Sequence, residues 1–320
     1  MEKTLLIGNG LNRTLENSIA WNNLLEKIAQ KYDIVYSPMM TFPLDFESII
    51  NQIFEKGNYD SDKLYSDVKK DIAKMLSDVK LPENSIHEKI KSLKINNIMT
   101  TNYDYLLEYV YDKDFQYRGS LSGKYRFDRI AQNCGVNFYH VHGFIDNPKT
   151  ICLGYEHYVG ISQRLRQEIN KGAKNQKNIV EIIKNHLKPN NTWGEKFFTS
   201  DIAIIGLNLD QCETDLWWLI TYRAMLYYSN LYSDDNFMKN NIVYYDIVNN
   251  DNESFDENSY EKICEKKSSQ NKKHILLESE HVVVKTIFLS DCGYSYQRAY
   301  EIILNDIKEN GIGGKTQCLK

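Results

Sequence analysis

No C-x-x-C pair occurs anywhere in the chain. The six cysteines, Cys134, Cys152, Cys212, Cys264, Cys292 and Cys318, are scattered singly over 320 residues, so neither a zinc knuckle nor a disulfide framework is legible and they read as reduced thiols. Repeats, proline-rich linkers and low-complexity stretches are missing. No window approaches the roughly 18 apolar residues of a membrane span. The early run Leu5-Leu6-Ile7 is far shorter than a signal peptide's apolar core, so a cytoplasmic location without membrane attachment is expected. Long basic runs are absent too: the net charge is -4 and the sequence pI about 6.0, which argues against a phosphate-neutralising surface and against nucleic acid as a direct partner.

What is present suffices for a large core. The hydrophobic fraction is 42% and the aromatic fraction 12%, with 23 tyrosines, which excludes a disordered or fibrous chain. The length allows one large domain or two ordinary ones. The expected layout is one domain over residues 1–310, helical insertions at about 43–90 and 156–190, and a loose glycine-rich tail at 311–320.

Buried-strand runs recur along the chain, and each ends in small or polar residues before a helical pattern. Thr4–Ile7 passes into Gly8-Asn9-Gly10-Leu11-Asn12 and then a helical pattern with Trp21, Leu24, Leu25 and Ile28. Ile95–Met99 passes into Thr100-Thr101-Asn102-Tyr103-Asp104 and a helical run. Phe197–Ile205 leads to Gly206-Leu207-Asn208 and an aromatic helix with Trp217 and Trp218. Ile242–Val248 ends at Asn249-Asn250-Asp251, and His281–Leu289 is a last strand before a helix over Tyr294–Ile307. The charged piece from Asp251 to Lys273 reads as a surface helix with loops. Such alternation implies an α/β fold with a doubly wound, mostly parallel sheet of Rossmann type. The strand-end residues should then converge on one crevice.

The stretch Phe138-Tyr139-His140-Val141-His142-Gly143 carries the sharpest chemistry. A period of two puts Phe138, His140 and His142 on one face and Tyr139 and Val141 on the other. His142 sits at the strand's end before a glycine turn, where a substrate can reach it, and an imidazole suits a base near neutral pH. His140 reads as a core histidine. A metal site from His140, His142 and His157 lacks an acidic ligand at obvious spacing, so no metal is expected. Gly8 and Gly10 have no Cβ to block a pyrophosphate at the backbone amides, although Arg13 stands where a dehydrogenase fingerprint has its third glycine. A plain tight turn would use the same residues. Asn102 or Thr101 could instead cap a helix, and Asp104 could complement its dipole.

These segments together resemble the sirtuin-like family of NAD-consuming domains, especially its bacterial antiphage-defence branch, over about Thr4–Ile307. The resemblance implies that Gly8, Asn9, Gly10 and Asn12 belong to the loop holding the NAD phosphates. It likewise makes Thr101, Asn102 and Asp104 the match to a Gln-Asn-Ile-Asp segment, in which the asparagine orients a water or ribose hydroxyl and the aspartate contacts the nicotinamide amide. His142 resembles the catalytic base, Gly206 and Asn208 the ribose-side loop, and Asn249 an adenosine contact. The four zinc-ligating cysteines of deacylating members have no counterpart, since only Cys152 lies between His142 and Cys212. By resemblance this implies NAD hydrolysis without a metal, restrained by homo-oligomerisation or by a partner such as a translocase-type ATPase or a short Argonaute. A non-catalytic NAD-sensing module and a protein deacylase are the alternative functions.

Overall fold

The computed structural model describes residues 1–16, 18–57, 59–171, 177–229, 240–249 and 269–313. Seven strands form one sheet: β1 (Glu2–Ile7), β2 (Asn97–Thr100), β3 (Ala131–Asn133), β4 (Val136–His140), β5 (Ser200–Ile205), β6 (Ile242–Val248) and β7 (Val283–Phe288). Their spatial order is β3-β4-β2-β1-β5-β6-β7, and every pairing is parallel except β3 with β4. From the central β1 the chain steps outward through β2 to β4, then returns to β5 on the other side and continues to β6 and β7. The order therefore reverses between β1 and β5, the switch point where open α/β sheets leave a crevice at the strand C-termini. The expected doubly wound sheet is what forms.

Burial on both faces explains the near-continuous apolar strands. Leu5, Leu6 and Ile7 are all fully buried, yet Leu6 joins one core and Leu5 and Ile7 the other. The first core, with Met99, Tyr139 and Ile204, packs under α6 (Tyr155–Lys171), α8 (Trp193–Thr199) and α9 (Thr214–Tyr228). The second, with Ile98, Phe138 and Ile205, packs against α5 (Leu106–Tyr111), a 3-10 turn over Ile86–Ser92, and α11 (Tyr296–Asn310). The short helices α1 (Asn9–Asn12) and α7 (Ile179–Lys184), helical residues 269–279 (α10) and 3-10 turns at Pro148–Thr150 and Leu289–Cys292 complete the described elements.

A third core is formed by α2 (Trp21–Lys31), α3 (Phe42–Lys56) and α4 (Ser61–Ser77), whose apolar residues recur at helical spacing: Leu24, Leu25 and Ile28; Phe46, Ile49, Ile50 and Ile53; Leu64, Val68 and Ile72. It closes on Tyr103, Ile151 and Leu153 from the loops after β2 and β4. The start of α2 (Trp21, Asn22 and Asn23) and Phe42 at the start of α3 supply a wall of the crevice.

Three boundaries differ from the sequence pattern. Phe197–Thr199 ends α8 instead of opening β5, because a capping box between Thr192 and Glu195 starts a helix at Trp193. Strand β4 ends at His140, before His142. The edge strand β3, too polar to show as a buried run, is set by the tight turn at Cys134-Gly135. Of the tail, Ile312 is buried in the second core, and residues 314–320 lie outside the described residues, as do 251–268 of the charged piece. Cys134, Cys152, Cys212 and Cys292 are free thiols, while Cys264 and Cys318 lie outside the described residues.

Candidate functional site

A cavity of about 590 Å³ opens at the switch point, a size suited to a small organic ligand or cofactor. Asn9 and Gly10 after β1, Thr101 and Tyr103 after β2, His142 after β4, and Gly206 and Asn208 after β5 line it together. Trp21 and Phe42 close the helical side, with ring centroids 5.4 Å apart and Trp21 also 5.2 Å from Tyr103. Convergence of the strand ends is therefore observed.

The glycines act differently from expectation. The Gly8 amide donates to the Ile205 carbonyl at 3.0 Å and the Gly10 amide to the Gly206 carbonyl at 2.8 Å. Those two amides are used within the protein and are not presented to a pyrophosphate, and α1 is only four residues long. Gly8 is buried behind the cavity and is not part of its lining. The reason for glycine here is loop-to-loop contact. A Cβ on Gly8 would stand 2.5 Å from the Gly206 carbonyl oxygen, and one on Gly206, whose φ is +62°, would stand 2.8 Å from the Leu11 nitrogen. Gly206→Ala should therefore destabilise the fold by about 1–3 kcal/mol through strain at a left-handed position, read as a lowered urea midpoint; an unchanged midpoint would contradict this account.

Asn208 is held at the far side of the cavity. Its carbonyl and side-chain oxygens accept from Lys273 Nζ at 3.0 and 3.2 Å, and Tyr244 Oη donates to the same carbonyl at 3.3 Å. Asn249 follows the end of β6 and does not line the cavity.

After β2 the residues divide. The Thr101 amide donates to the Ile7 carbonyl at 3.3 Å and its residue faces the cavity. Asp104 and Asn12 do not reach the cavity. Asp104 accepts from the Leu106 amide at 3.1 Å and from Asn12 Nδ2 at 2.9 Å, while Asn12 Oδ1 lies 2.8 Å from His87 Nε2. This buried chain ties α1, the β2 loop and the 3-10 turn together, so Asp104 takes the helix-end role. Burial raises the Asp104 carboxyl to about 6, partly offset by the Leu106 amide and His140, and burial lowers His87 to about 4. Asn102 is different again. Only 2% exposed and not part of the cavity lining, it leaves its side-chain oxygen and nitrogen without a hydrogen-bond partner among the described residues, a costly state that native proteins keep at few places.

His142 and His140 part company because the strand stops between them. His140 lies 3.0 Å from Glu108 of α5, on the face of Phe138, both side chains being buried. It is the core histidine expected. His142 instead turns to the face of Tyr139 and Val141, its ring 5.1 Å from Tyr158 of α6 and its Nε2 3.1 Å from Asp215 Oδ2. The expectation that His140 and His142 share a face is thus corrected: Gly143, with φ +95°, makes a turn in which any Cβ would stand 2.3 Å from the Thr150 carbonyl oxygen, and the alternation ends there. Glu213 Oε2 lies 3.6 Å from the same Nε2. Burial alone would lower the His142 pKa, but the charges of Asp215 and Glu213 outweigh it and hold it above 6.5. Burial, with Asp215 adding to it and His142 opposing, lifts Glu213 to about 7.

The sequence pattern missed Glu213 and Asp215. Their signal was available: acids in Asp210-Gln211-Cys212-Glu213-Thr214-Asp215 open a helix directly after a strand-end glycine loop. The triple-histidine arrangement is not assembled, since His157 Nδ1 accepts from the Leu153 and Gly154 amides at 3.3 and 2.9 Å. His142, Glu213 and Asp215 are the set of metal-ligating residue types within reach of one another among the described residues, their atoms lying within 4.8 Å. As placed, Nε2 of His142 is hydrogen-bonded to Asp215 Oδ2, so within the protein the set is linked as an acid–base cluster.

The fold and cavity define an α/β protein with a crevice at the switch point of its parallel sheet. Residues 96–192 match the family model of the SIR2-like domain, a segment that holds β2, Asn102, β4 and His142. Over that segment the chain is similar to SIR2-like domains. No curated protein matches the chain. No helix among the described residues is long and apolar enough to cross a membrane.

Proposed function

We propose that this chain is an NAD+ glycohydrolase that cleaves the nicotinamide–ribose bond. The observation that carries the reading is His142: a buried imidazole inside the SIR2-like segment, lining the switch-point cavity and held by two carboxylates. Nicotinamide leaves C1′ as a neutral molecule with the bonding electron pair, so its departure needs little acid help. The demand falls on the cationic C1′ that remains. His142 takes the proton of a water whose oxygen bonds to C1′, giving ADP-ribose, nicotinamide and one proton. Asn102, with an unpaired amide, serves to orient that water or a ribose hydroxyl.

Free NAD hydrolysis would harm the cell that makes the enzyme, so the reading includes restraint, by homo-oligomerisation or by a partner protein of the translocase-type ATPase or short Argonaute kind, in an abortive antiphage response. The test is incubation of the purified chain with NAD, alone and with the product of the neighbouring gene, following nicotinamide by chromatography. Equimolar nicotinamide and ADP-ribose are expected in at least one of the two. Release of O-acetyl-ADP-ribose from an acetylated peptide would replace the reading with a deacylase.

Asn102→Ala should lower nicotinamide release by about 10²-fold through lost positioning. Its melting temperature should hardly fall from lost hydrogen bonding, because the side-chain amide has no partner among the described residues to lose. Full activity in this variant would remove Asn102 from the mechanism.

A further inference from the structure

The geometry points to Asp215 as the positioning residue for His142: its carboxylate holds the ring through Nε2 and leaves Nδ1 as the nitrogen that accepts the proton. The assignment deepens the hydrolase reading and rests on it. Asp215 is fully buried in the first turn of α9, and its Oδ1 has no hydrogen-bond partner among the described residues. A buried carboxylate is tolerated only near a group that can share or balance its charge, and the imidazole 3.1 Å away is that group. With Glu213 Oε2 at 3.6 Å on the same nitrogen, Nε2 is flanked by two acceptors. A neutral ring in that place carries its proton on Nε2 and its lone pair on Nδ1.

The other groups around the ring do not compete. Tyr158 packs edge-on from α6, and burial pushes its phenol well above 10; burial, with Glu213 adding, pushes the Cys212 thiol before α9 to about 12. Cys152, after the β4 turn, has a thiol raised well above 9 by burial, and its amide donates to the His142 carbonyl at 2.8 Å. These are neutral near pH 7, so the carboxylates of α9 and of the residue before it set the ring's behaviour. During hydrolysis the water proton moves to Nδ1, the Nε2 proton stays in its bond to Asp215, and the imidazolium between two carboxylates returns the Nδ1 proton to solvent after product departure.

The experiment uses the full chain with 15N-labelled histidine, comparing wild type, Asp215→Asn and Glu213→Gln. Ring 15N shifts are followed across pH, alongside pH profiles of nicotinamide release. In the wild type the His142 ring should carry its proton on Nε2 and titrate above 6.5. In D215N the midpoint should move to lower pH by about one unit or more, because an opposite charge within hydrogen-bond reach is lost. The acid limb of the rate profile should follow it, with kcat lowered at least about tenfold and KM changed by less than about threefold. E213Q should give a smaller shift in the same direction with the tautomer kept, and it carries the test if D215N does not fold. A wild-type ring protonated on Nδ1, or variants whose midpoints stay at the wild-type value, would overturn the assignment. So would a ring signal that shifts on adding Zn2+ or Mn2+ and then ceases to titrate. If the ring behaves as expected and no NAD is cleaved under any of the conditions above, the hydrolase reading fails while the Asp215–His142 pairing stands.

Discussion

His142→Ala should reduce nicotinamide release by about 10²- to 10⁴-fold, or roughly 3–5 kcal/mol of transition-state stabilisation, the usual worth of a positioned general base. The loss should fall on kcat more than KM, because the ring meets the water and not the bulk of the dinucleotide. The alanine variant also strands Asp215, a fully buried carboxylate hydrogen-bonded to this ring, so some loss of stability is expected with it. His142→Gln separates the two effects. Its side-chain amide can still donate to Asp215 but cannot accept a proton from water at pH 7. It should fold closer to the wild type yet remain as inactive as the alanine variant. Full NAD turnover by folded H142Q, measured as nicotinamide per enzyme per unit time, would remove His142 as the base.

Much of the fold was legible because parallel strands buried on both faces leave an unmistakable trace. Leu5-Leu6-Ile7 and Ile242–Val248 each stand as apolar runs between polar turns, and both are strands in the structure. The same trace misled at Phe197-Phe198, where apolar residues buried in a helix look identical to a strand over so short a span. There the deciding signal was local: a threonine followed three residues later by a glutamate. The edge strand β3 left no trace because Ala131-Gln132-Asn133 has only one face to bury.

The site was legible in position more than in chemistry. Strand-end loops converge by topology alone, which is why Asn9, Gly10, Thr101, His142, Gly206 and Asn208 all reach one cavity. What a pattern of residue types cannot specify is which polar groups are consumed within the protein. The amides of Gly8 and Gly10 are taken by Ile205 and Gly206, and the side chains of Asn12 and Asp104 are taken by each other, with His87 and the Leu106 amide completing the chain. The reverse also holds: Asp215 is 73 residues from His142 in sequence, and only the tertiary fold brings the first turn of α9 to the turn after β4.

Away from the crevice, Asp306→Ala should cost about 3–5 kcal/mol, because it strands a buried ammonium. Lys285 of β7 lies 2.7 Å from Asp306 of α11, with the two side chains 3% and 2% exposed. Tyr245 of β6 donates to the same carboxylate, and Asn310 Nδ2 donates to its other oxygen at 2.8 Å. The Asp306 carboxylate thus joins the last helix to the two last strands across the second core. Burial would raise its pKa, but hydrogen bonds from Lys285, Tyr245 and Asn310 outweigh this and hold it below 3.8. A folded-state pKa below the unfolded value means that the stabilisation is present above about pH 4 and is lost as pH falls through the folded pKa. Urea unfolding should therefore show the full difference between wild type and D306A at pH 7, and a narrowing difference below pH 4. Exchanging both partners for apolar residues, as in Lys285→Met with Asp306→Leu, should recover most of the loss, since it removes the stranded charge together with its partner. A difference under about 1 kcal/mol at pH 7, the worth of an exposed pair, would show that this carboxylate does not tie α11 to the sheet.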